Sequence, residues 1–163
     1  MWRAHRRVPS GHWPQAKRRG TITLAYDDRH RRRMRLTTDE GEALVLDLPQ
    51  AVVLADGDGL MLEQGDFIAV KAAPEDVVEI TAPDRALLLR LAWHIGNRHF
   101  PAQIEPERIL IRDDHVMVDM VEGLGGRVRR IRAPFNPEGG AYAGGGHGHD
   151  HGHDHEHDHD HHH

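Results

Sequence analysis

The sequence contains no cysteine in its 163 residues. Disulfide bonds are therefore impossible, and metal sites that depend on thiolate ligands are excluded. Any transition metal that this chain binds must be held by histidine, with carboxylates or water in support. Because disulfides are typical of oxidising compartments, their absence fits a cytoplasmic protein, and we expect that location.

Long apolar runs and aromatic residues are also scarce. The longest apolar runs, such as the one over residues 51–55, are far shorter than the roughly 20 residues that cross a bilayer. The basic first 20 residues are not followed by the apolar stretch of a secretory signal. Phe, Tyr and Trp together number eight, too few for the aromatic rows of RNA-binding sheets. We therefore expect a soluble protein that binds neither membranes nor nucleic acid.

Charge is unevenly distributed along the chain. Residues 1–35 carry eleven Lys and Arg against two acids, whereas residues 36–142 carry ten against nineteen, and residues 143–163 carry five acids alone. The basic run from Arg29 to Arg35 is typical of a surface for an acidic partner, and equally of an exposed strand and turn. The acidic remainder of the chain opposes binding to a phosphate backbone.

The first half of the chain has the alternation of a β protein. Between residue 20 and about residue 73, apolar residues recur at every second position in short stretches, separated by turn segments rich in Asp and Gly. Pro49 and Pro74 are expected between strands. The Asp-Gly-Asp-Gly sequence at 56–59 lacks the later oxygen ligands of a calcium loop and predicts a tight turn. Residues 1–74 are therefore predicted to form a small all-β domain of short strands.

The second segment, residues 75–142, mixes helix and strand signals. A strand over 77–80 is followed by a helix that Pro83 and Asp84 open, with Asp84 in its first turn, and that residues 96–97 end. Strand-like pieces near 102–104 and 109–111 precede a second helix, capped by residues 113–114, and a last strand at 128–131. The apolar face predicted for the second helix consists of Val116, Met120, Val121 and Leu124. The β-α-β-β-α-β order predicts a ferredoxin-like domain, so the fold class is α+β.

Residues 143–163 form a histidine-rich tail. The tail has no apolar residue beyond Ala143 and is predicted to be disordered, with glycines at 139–140 and 144–146 as a hinge. In an extended chain, side chains two residues apart point the same way, roughly 6.6 Å apart, so a flexible backbone can close two imidazoles around one ion. Imidazole binds Ni(II), Cu(II) and Zn(II), and the interleaved acids can balance the charge. The histidines are not an unbroken run, as affinity tags usually are. The predicted tail ligands are His147, His149, His151, His153, His155, His157, His159, His161, His162 and His163.

Two further histidines, His94 and His99, lie in the segment HIGNRHFP. Five residues of separation would not stack them on one continuous helix. Because the helix is predicted to end between them, His99 is expected near an accessible loop, and His94 is expected to be packed or on the helix surface. From the residues alone, His99 is equally a metal ligand or an ordinary loop residue.

Three segments together closely resemble the UreE family of urease accessory proteins, which are nickel metallochaperones. They are WHIGNRHFPAQI at 93–104, RDDHVMVDMVEGLG at 112–125 and APFNPEGGAY at 133–142, followed by the histidine-rich tail. Neither the HIGNRHFP piece nor the PEGGAY piece would be specific alone. The first domain also looks like that family's first domain, so the resemblance covers nearly the whole chain from about residue 20.

The resemblance implies a function and a site. It implies delivery of Ni(II) to urease by a homodimer that works with the urease apoprotein and an accessory GTPase. It likens the first domain to a peptide-binding domain of heat-shock cochaperones, and it makes the second the dimerisation domain. The family's interfacial nickel ligand corresponds to His99, so two copies would hold one ion, with tail histidines completing the shell. An accessory His-Asp-His site of some members corresponds to residues 113–115, where Asp113 replaces the first histidine and His115 remains as a weak ligand.

Enzymatic activity is not expected. The sequence has no HExxH motif, no cysteine nucleophile and no convincing Ser-His pair. Two other interpretations remain open beside nickel delivery. One is a histidine-rich metal store or buffer without a delivery role, and the other is a protein-interaction module to which metal is incidental.

Overall fold

The computed structural model describes residues 1–139, which form two β-sheets separated in the chain by the single residue Ala73. The predicted tail, together with residues 140–142, lies outside the described residues. Short 3-10 turns cover Gln15–Lys17 and Tyr26–Asp28. The elements in chain order are β1 (Trp2–Val8), β2 (Arg18–Leu24), β3 (His30–Thr37), β4 (Ala43–Val53), β5 (Gly59–Leu62), β6 (Phe67–Ala72), β7 (Pro74–Thr81), α1 (Arg85–Asn97), β8 (Gln103–Ile104), β9 (Ile109–Arg112), α2 (His115–Gly123) and β10 (Arg127–Pro134).

The first domain is all-β, as predicted, and contains one sheet. Its six strands have the order β2-β6-β5-β1-β4-β3, and the pairs β1–β4 and β2–β6 are parallel. Strand pleating sends alternate side chains to one face, so Leu44, Leu46 and Leu48 of β4 are all buried. Their core is completed by Ala4, Ile22, Leu54, Leu60, Leu62, Ile68 and Val70.

Strand β1 is not predicted by the alternation of the sequence. Four of its seven residues are Arg or His, and only Ala4 is buried. The strand nevertheless lies inside the sheet between β4 and β5. The Arg3 guanidinium there lies 3.5 Å from the Asp47 carboxylate and 3.8 Å from that of Glu63. Because paired charges cover the outer face, the strand carries almost no hydrophobic signal.

The predictions for the two prolines are wrong. Strand β4 runs through Pro49, because the β3–β4 register shifts there: Arg33 pairs with Asp47, whereas Arg31 pairs with Val52. Four residues of β4 thus face one residue of β3, and Pro49 lies in this bulged stretch, where a missing N–H donor is tolerated. Pro74 is the first residue of β7, a second position that suits proline.

The second sheet has the predicted ferredoxin-like topology. The order β10-β7-β9-β8 is antiparallel at every pairing. Both helices pack on one face of this sheet, in a core that contains Leu88, Leu91 and Ile95 of α1. The opposite face places Val77 and Leu110 against Phe135. The α+β fold class is therefore confirmed for the described part of the chain.

The two helices begin at aspartate caps. The Asp84 carboxylate accepts a hydrogen bond from the Leu87 amide at 2.8 Å, so Asp84 is the N-cap and not a first-turn residue as predicted. Asp114 caps α2 in the same way through the Met117 amide at 3.0 Å, as predicted. The predicted apolar face of α2 is wrong at two positions, because Val116 and Leu124 are exposed. The buried residues of α2 are Met117, Val118 and Val121.

A buried arginine joins the two sheets. Arg29 has no exposed surface, and its guanidinium donates to the carbonyl oxygens of Leu54 (3.2 Å) and Phe135. A third bond reaches the Asn136 side-chain oxygen at 3.3 Å. Burial lowers the pKa of the Arg29 guanidinium from its ordinary value. Because these acceptors lie in the segments that follow β4 and β10, Arg29 fixes the chain after β10 against the first domain.

Candidate metal centre

His99 lies at the end of α1, where the chain leaves the helix. The His99 amide donates to the Gly96 carbonyl at 3.0 Å, and the Phe100 amide donates to the Ile95 carbonyl at 3.3 Å. These two bonds form a Schellman motif, which satisfies carbonyls that the helix end leaves free. Phe100 also packs against the core that contains Ile95. The helix therefore ends where the sequence predicts, and His99 is exposed.

The backbone of His99 is left-handed, with φ of 56°. It is the one non-glycine residue with positive φ among residues 1–139. Glycine usually occupies this position of a Schellman motif, and a residue with a Cβ atom costs about 1 to 2 kcal/mol there. Such strain persists mainly where function requires the side chain. The left-handed backbone therefore makes His99 a candidate for a functional side chain.

His99 lines a surface groove of about 470 Å³. The groove brings together the end of α1, the segment that leads to β8, and the chain that follows β10. His99 supplies its only imidazole and Glu138 its only carboxylate among the lining residues. The other lining residues are Tyr26, Ala92, Gly96, Phe100, Pro101, Ala102, Ile104 and Gly139.

His115 is the first residue of α2 and is exposed. Arg112 at the end of β9 pairs with Val77 near the start of β7, so α2 begins at the end of the sheet towards which α1 runs. His115 and His99 therefore lie at the same end of the domain. The Asp113 carboxylate forms an ion pair with Arg130, at 2.9 and 3.3 Å. This carboxylate raises the pKa of Arg130, so Asp113 is occupied by an ion pair.

His94 is half-buried on α1, and its ring lies edge-on to the Trp93 ring at 5.0 Å between centroids. The ten tail histidines, from His147 to His163, lie outside the described residues. Within residues 1–139 no three His, Asp or Glu side chains are grouped closely enough to hold a metal ion. A complete site therefore needs ligands beyond those that one copy of residues 1–139 provides.

Two motifs of the first domain have structural roles. In the Asp-Gly-Asp-Gly turn, the Asp58 carboxylate accepts bonds from the Ala55 and Ser10 amides at 2.8 and 3.1 Å. Asp56 accepts a bond from the Ala72 amide at 2.8 Å. These carboxylates stabilise a tight turn, as predicted. In the basic run, Arg29 is buried, whereas Arg32, Arg33 and Arg35 are exposed on the edge strand β3.

Sequence reasoning missed two residues near the groove, Arg29 and Glu138. Arg29 lies in a run of arginines that looks uniformly exposed, and nothing local distinguishes it. Glu138 precedes glycines that predict a hinge, yet its amide donates to the Ala102 carbonyl at 2.8 Å. That bond joins residues 36 positions apart, so no local pattern could show it.

Neither helix in the described residues is long and apolar enough to span a membrane.

Comparison with known families gives two matches. Residues 3–73 match the N-terminal domain of the UreE urease accessory protein, and residues 75–163 match its C-terminal domain.

Individual relatives give the same result. A urease accessory protein UreE of Chelativorans sp. (strain BNC1) is 56% identical over 127 residues, which cover 78% of this chain and 80% of the relative. The protein of that name from Rhodopseudomonas palustris (strain HaA2) is 52% identical over 132 residues, or 81% of this chain and 61% of the relative. A third, from Beijerinckia indica subsp. indica, is 45% identical over 90% of this chain and 84% of the relative. The chain therefore belongs to the UreE family of urease accessory proteins.

Proposed function

We propose that the protein is a nickel metallochaperone that delivers Ni(II) during urease assembly. The observation that carries this proposal is the strained, exposed His99, held in a groove that the chain enters just before the histidine-rich tail. Nickel(II) accepts imidazole ligands readily. In this proposal the tail captures the ion and His99 holds it. Zn(II) and Cu(II) would compete for the same ligands, since affinity order favours copper in such sites.

A homodimer completes the proposed site. Leu89, Trp93 and Ile104 are 66%, 64% and 43% exposed on and beside α1. An apolar groove between α1 and β8 includes Ala92 and Ile104, and both residues also line the His99 groove. This continuous apolar surface fits a second copy of the chain. Two copies would then bring two His99 imidazoles to one axis.

Gly96 supports this arrangement. A Cβ atom at Gly96 would meet nothing within 4 Å, and its φ is not positive, so nothing within residues 1–139 requires glycine there. Glycine in a helix costs about 1 kcal/mol relative to alanine. Close approach of a partner copy would explain why the helix lacks a side chain at this position.

The hand-off partners in this proposal are the urease apoprotein and an accessory GTPase. Binding requires neutral imidazoles, so nickel affinity is expected to fall as the pH falls through about 6.5. A constant affinity between pH 5 and 8 would contradict histidine ligation. The family names of the relatives favour this role over a metal buffer, because those proteins are named as accessory to urease.

The test is reconstitution of urease with purified apo-urease and accessory GTPase, using nickel supplied only on this protein. We expect activation by the natural chain and at least about tenfold less with His99→Ala, whereas His94→Ala serves as the matched control. A buffer would release nickel without contacting the GTPase. Activation that depends only on the free nickel concentration, and is equal for all variants, would therefore refute delivery.

A further inference from the structure

The chain that follows β10 is anchored on both sheets. Phe135 is fully buried, and its ring meets the edge of the Tyr26 ring at 5.5 Å between centroids. The Asn136 amide donates to the Gln103 side-chain oxygen at 2.9 Å, while the Asn136 side-chain oxygen accepts bonds from the Asp56 amide at 3.0 Å and from Arg29. This segment, residues 135–139, thus has a defined position before the tail begins.

The anchored segment places Glu138 in the groove that His99 also lines. The hydrogen bond from the Glu138 amide to the Ala102 carbonyl joins it to the short stretch that leaves the His99 turn. Glu138 is exposed and lines the same groove as His99. Two different parts of the chain therefore contribute one histidine and one glutamate to the lining of a shared groove.

The chemistry of this pair fits a divalent cation. Within residues 1–139 the Glu138 carboxylate forms no salt bridge and no side-chain hydrogen bond, so it is available as a ligand. Imidazole with carboxylate is a donor set that Ni(II) accepts, and the carboxylate charge would offset that of the ion. A second copy would double the set to two nitrogens and two oxygens.

We propose that Glu138 is a metal ligand that acts together with His99, so that each copy contributes one imidazole and one carboxylate to a shared nickel site. The inference rests on the proposed function, because it assumes that His99 binds the metal. It gives the anchored segment a purpose: Arg29 and Asn136 hold the chain where Glu138 reaches the groove, and the histidine-rich tail continues from the same point.

The experiment uses the full-length chain with the ten tail histidines replaced by asparagine, so that nickel reports only on the remaining site. Calorimetric titration with Ni(II) compares this protein with Glu138→Gln, which removes the charge and keeps the shape. Glu107→Gln is the matched control, since Glu107 is an exposed glutamate in the turn between β8 and β9 and does not line the groove. Visible absorption of the Co(II)-loaded proteins reports the coordination shell.

We expect Glu138→Gln to weaken Ni(II) binding at least about tenfold, the lower end of what loss of a supporting ligand contact costs a metal site. This loss of Ni(II) affinity should be equal in 0.05 M and 0.5 M salt, because salt does not screen a direct metal–ligand bond. The Co(II) absorption spectrum of Glu138→Gln should also differ from that of the parent protein. Glu107→Gln should change neither. Loss that disappears in high salt, or an unchanged Co(II) spectrum, would overturn the inference while His99 ligation stands. If the tail-substituted chain binds no nickel, both this inference and the proposed His99 site are wrong.

Discussion

His99 is held in a backbone conformation that a glycine would adopt without strain. If the histidine is kept for its imidazole, removing its side chain should improve stability while it removes binding. We expect His99→Gly to raise the free energy of unfolding by about 1 kcal/mol, measured by chemical denaturation, and to abolish nickel binding in the tail-substituted chain.

The matched variant for this prediction is His99→Ala, which removes the imidazole but keeps the Cβ atom and its strain. It should lose nickel binding equally and gain no stability. Equal stabilities of the glycine and alanine variants would show that the strain at position 99 is relieved in some other way.

Arg29 is fully buried, whereas most of the basic run that follows it in the sequence is exposed. Its guanidinium satisfies three buried or half-buried oxygens, and an unpaired buried acceptor costs about 1 to 3 kcal/mol. We expect Arg29→Met to lower the free energy of unfolding by about 3 kcal/mol or more. Arg35→Met on the exposed edge strand β3, where the side chain makes no hydrogen bond or ion pair with residues 1–139, should change it by less than about 0.5 kcal/mol. Similar small effects of both substitutions would contradict the role of Arg29 in joining the sheets.

At the scale of elements, helix α1 carries the proposed dimer surface. Gly96→Ala should stabilise the helix by about 1 kcal/mol yet weaken dimerisation, because the new methyl group would enter the contact with the second copy. Gly123→Ala in α2 is the matched control, since a Cβ atom there also meets nothing within 4 Å. Sedimentation equilibrium measures the dimer. Equal dimerisation of both variants would contradict a contact at Gly96.

Strand β7 carries a carboxylate that links stability to pH. Glu79 accepts a hydrogen bond from Arg108 at 2.9 Å and lies 3.1 Å from Arg129, which holds its pKa below the ordinary value. A lowered folded-state pKa adds stability above the unfolded pKa of about 4.3, and this stability is lost as the pH falls through the folded value. We expect Glu79→Gln to lower the Tm at pH 7 and to flatten its decline below about pH 4.5. If the Tm of Glu79→Gln fell with pH as steeply as the Tm of Glu107→Gln, the link between Glu79 and acid stability would be contradicted.

The elements also show how far the sequence predicts the structure. The helical spacing of Leu88, Leu91 and Ile95 identifies the buried face of α1, although Leu89 and Trp93 are exposed on the same helix. Helix α2 has apolar residues on most sides, and the stripe through Val116, Met120 and Leu124 is as regular as the buried one. Periodicity cannot decide between two such stripes, because the choice depends on where the sheet lies. Strand β1 escapes prediction for the opposite reason, since its charged side chains find partners such as Asp47, Asp58 and Glu63 in distant parts of the chain.

At the scale of the whole molecule, the candidate site depends on contacts that the sequence does not show. The predicted helix end places His99 in a loop, and the family resemblance implies that it is a metal ligand. The groove, however, needs Tyr26 from the first domain and Glu138 from the chain after β10. These parts meet because Arg29 and Asn136 join the two sheets, which only the folded chain reveals. Thus the His99 position follows from local pattern, whereas its surroundings follow from the arrangement of the two domains.

The central claim is that His99 residues of two copies share one nickel ion. Its most direct test is the stoichiometry of Ni(II) binding to the full-length chain whose ten tail histidines are replaced by asparagine, with and without His99→Ala. We expect one ion per two chains at pH 7.5 and none after His99→Ala. One ion per single chain, or binding that survives His99→Ala, would contradict a shared site at this histidine.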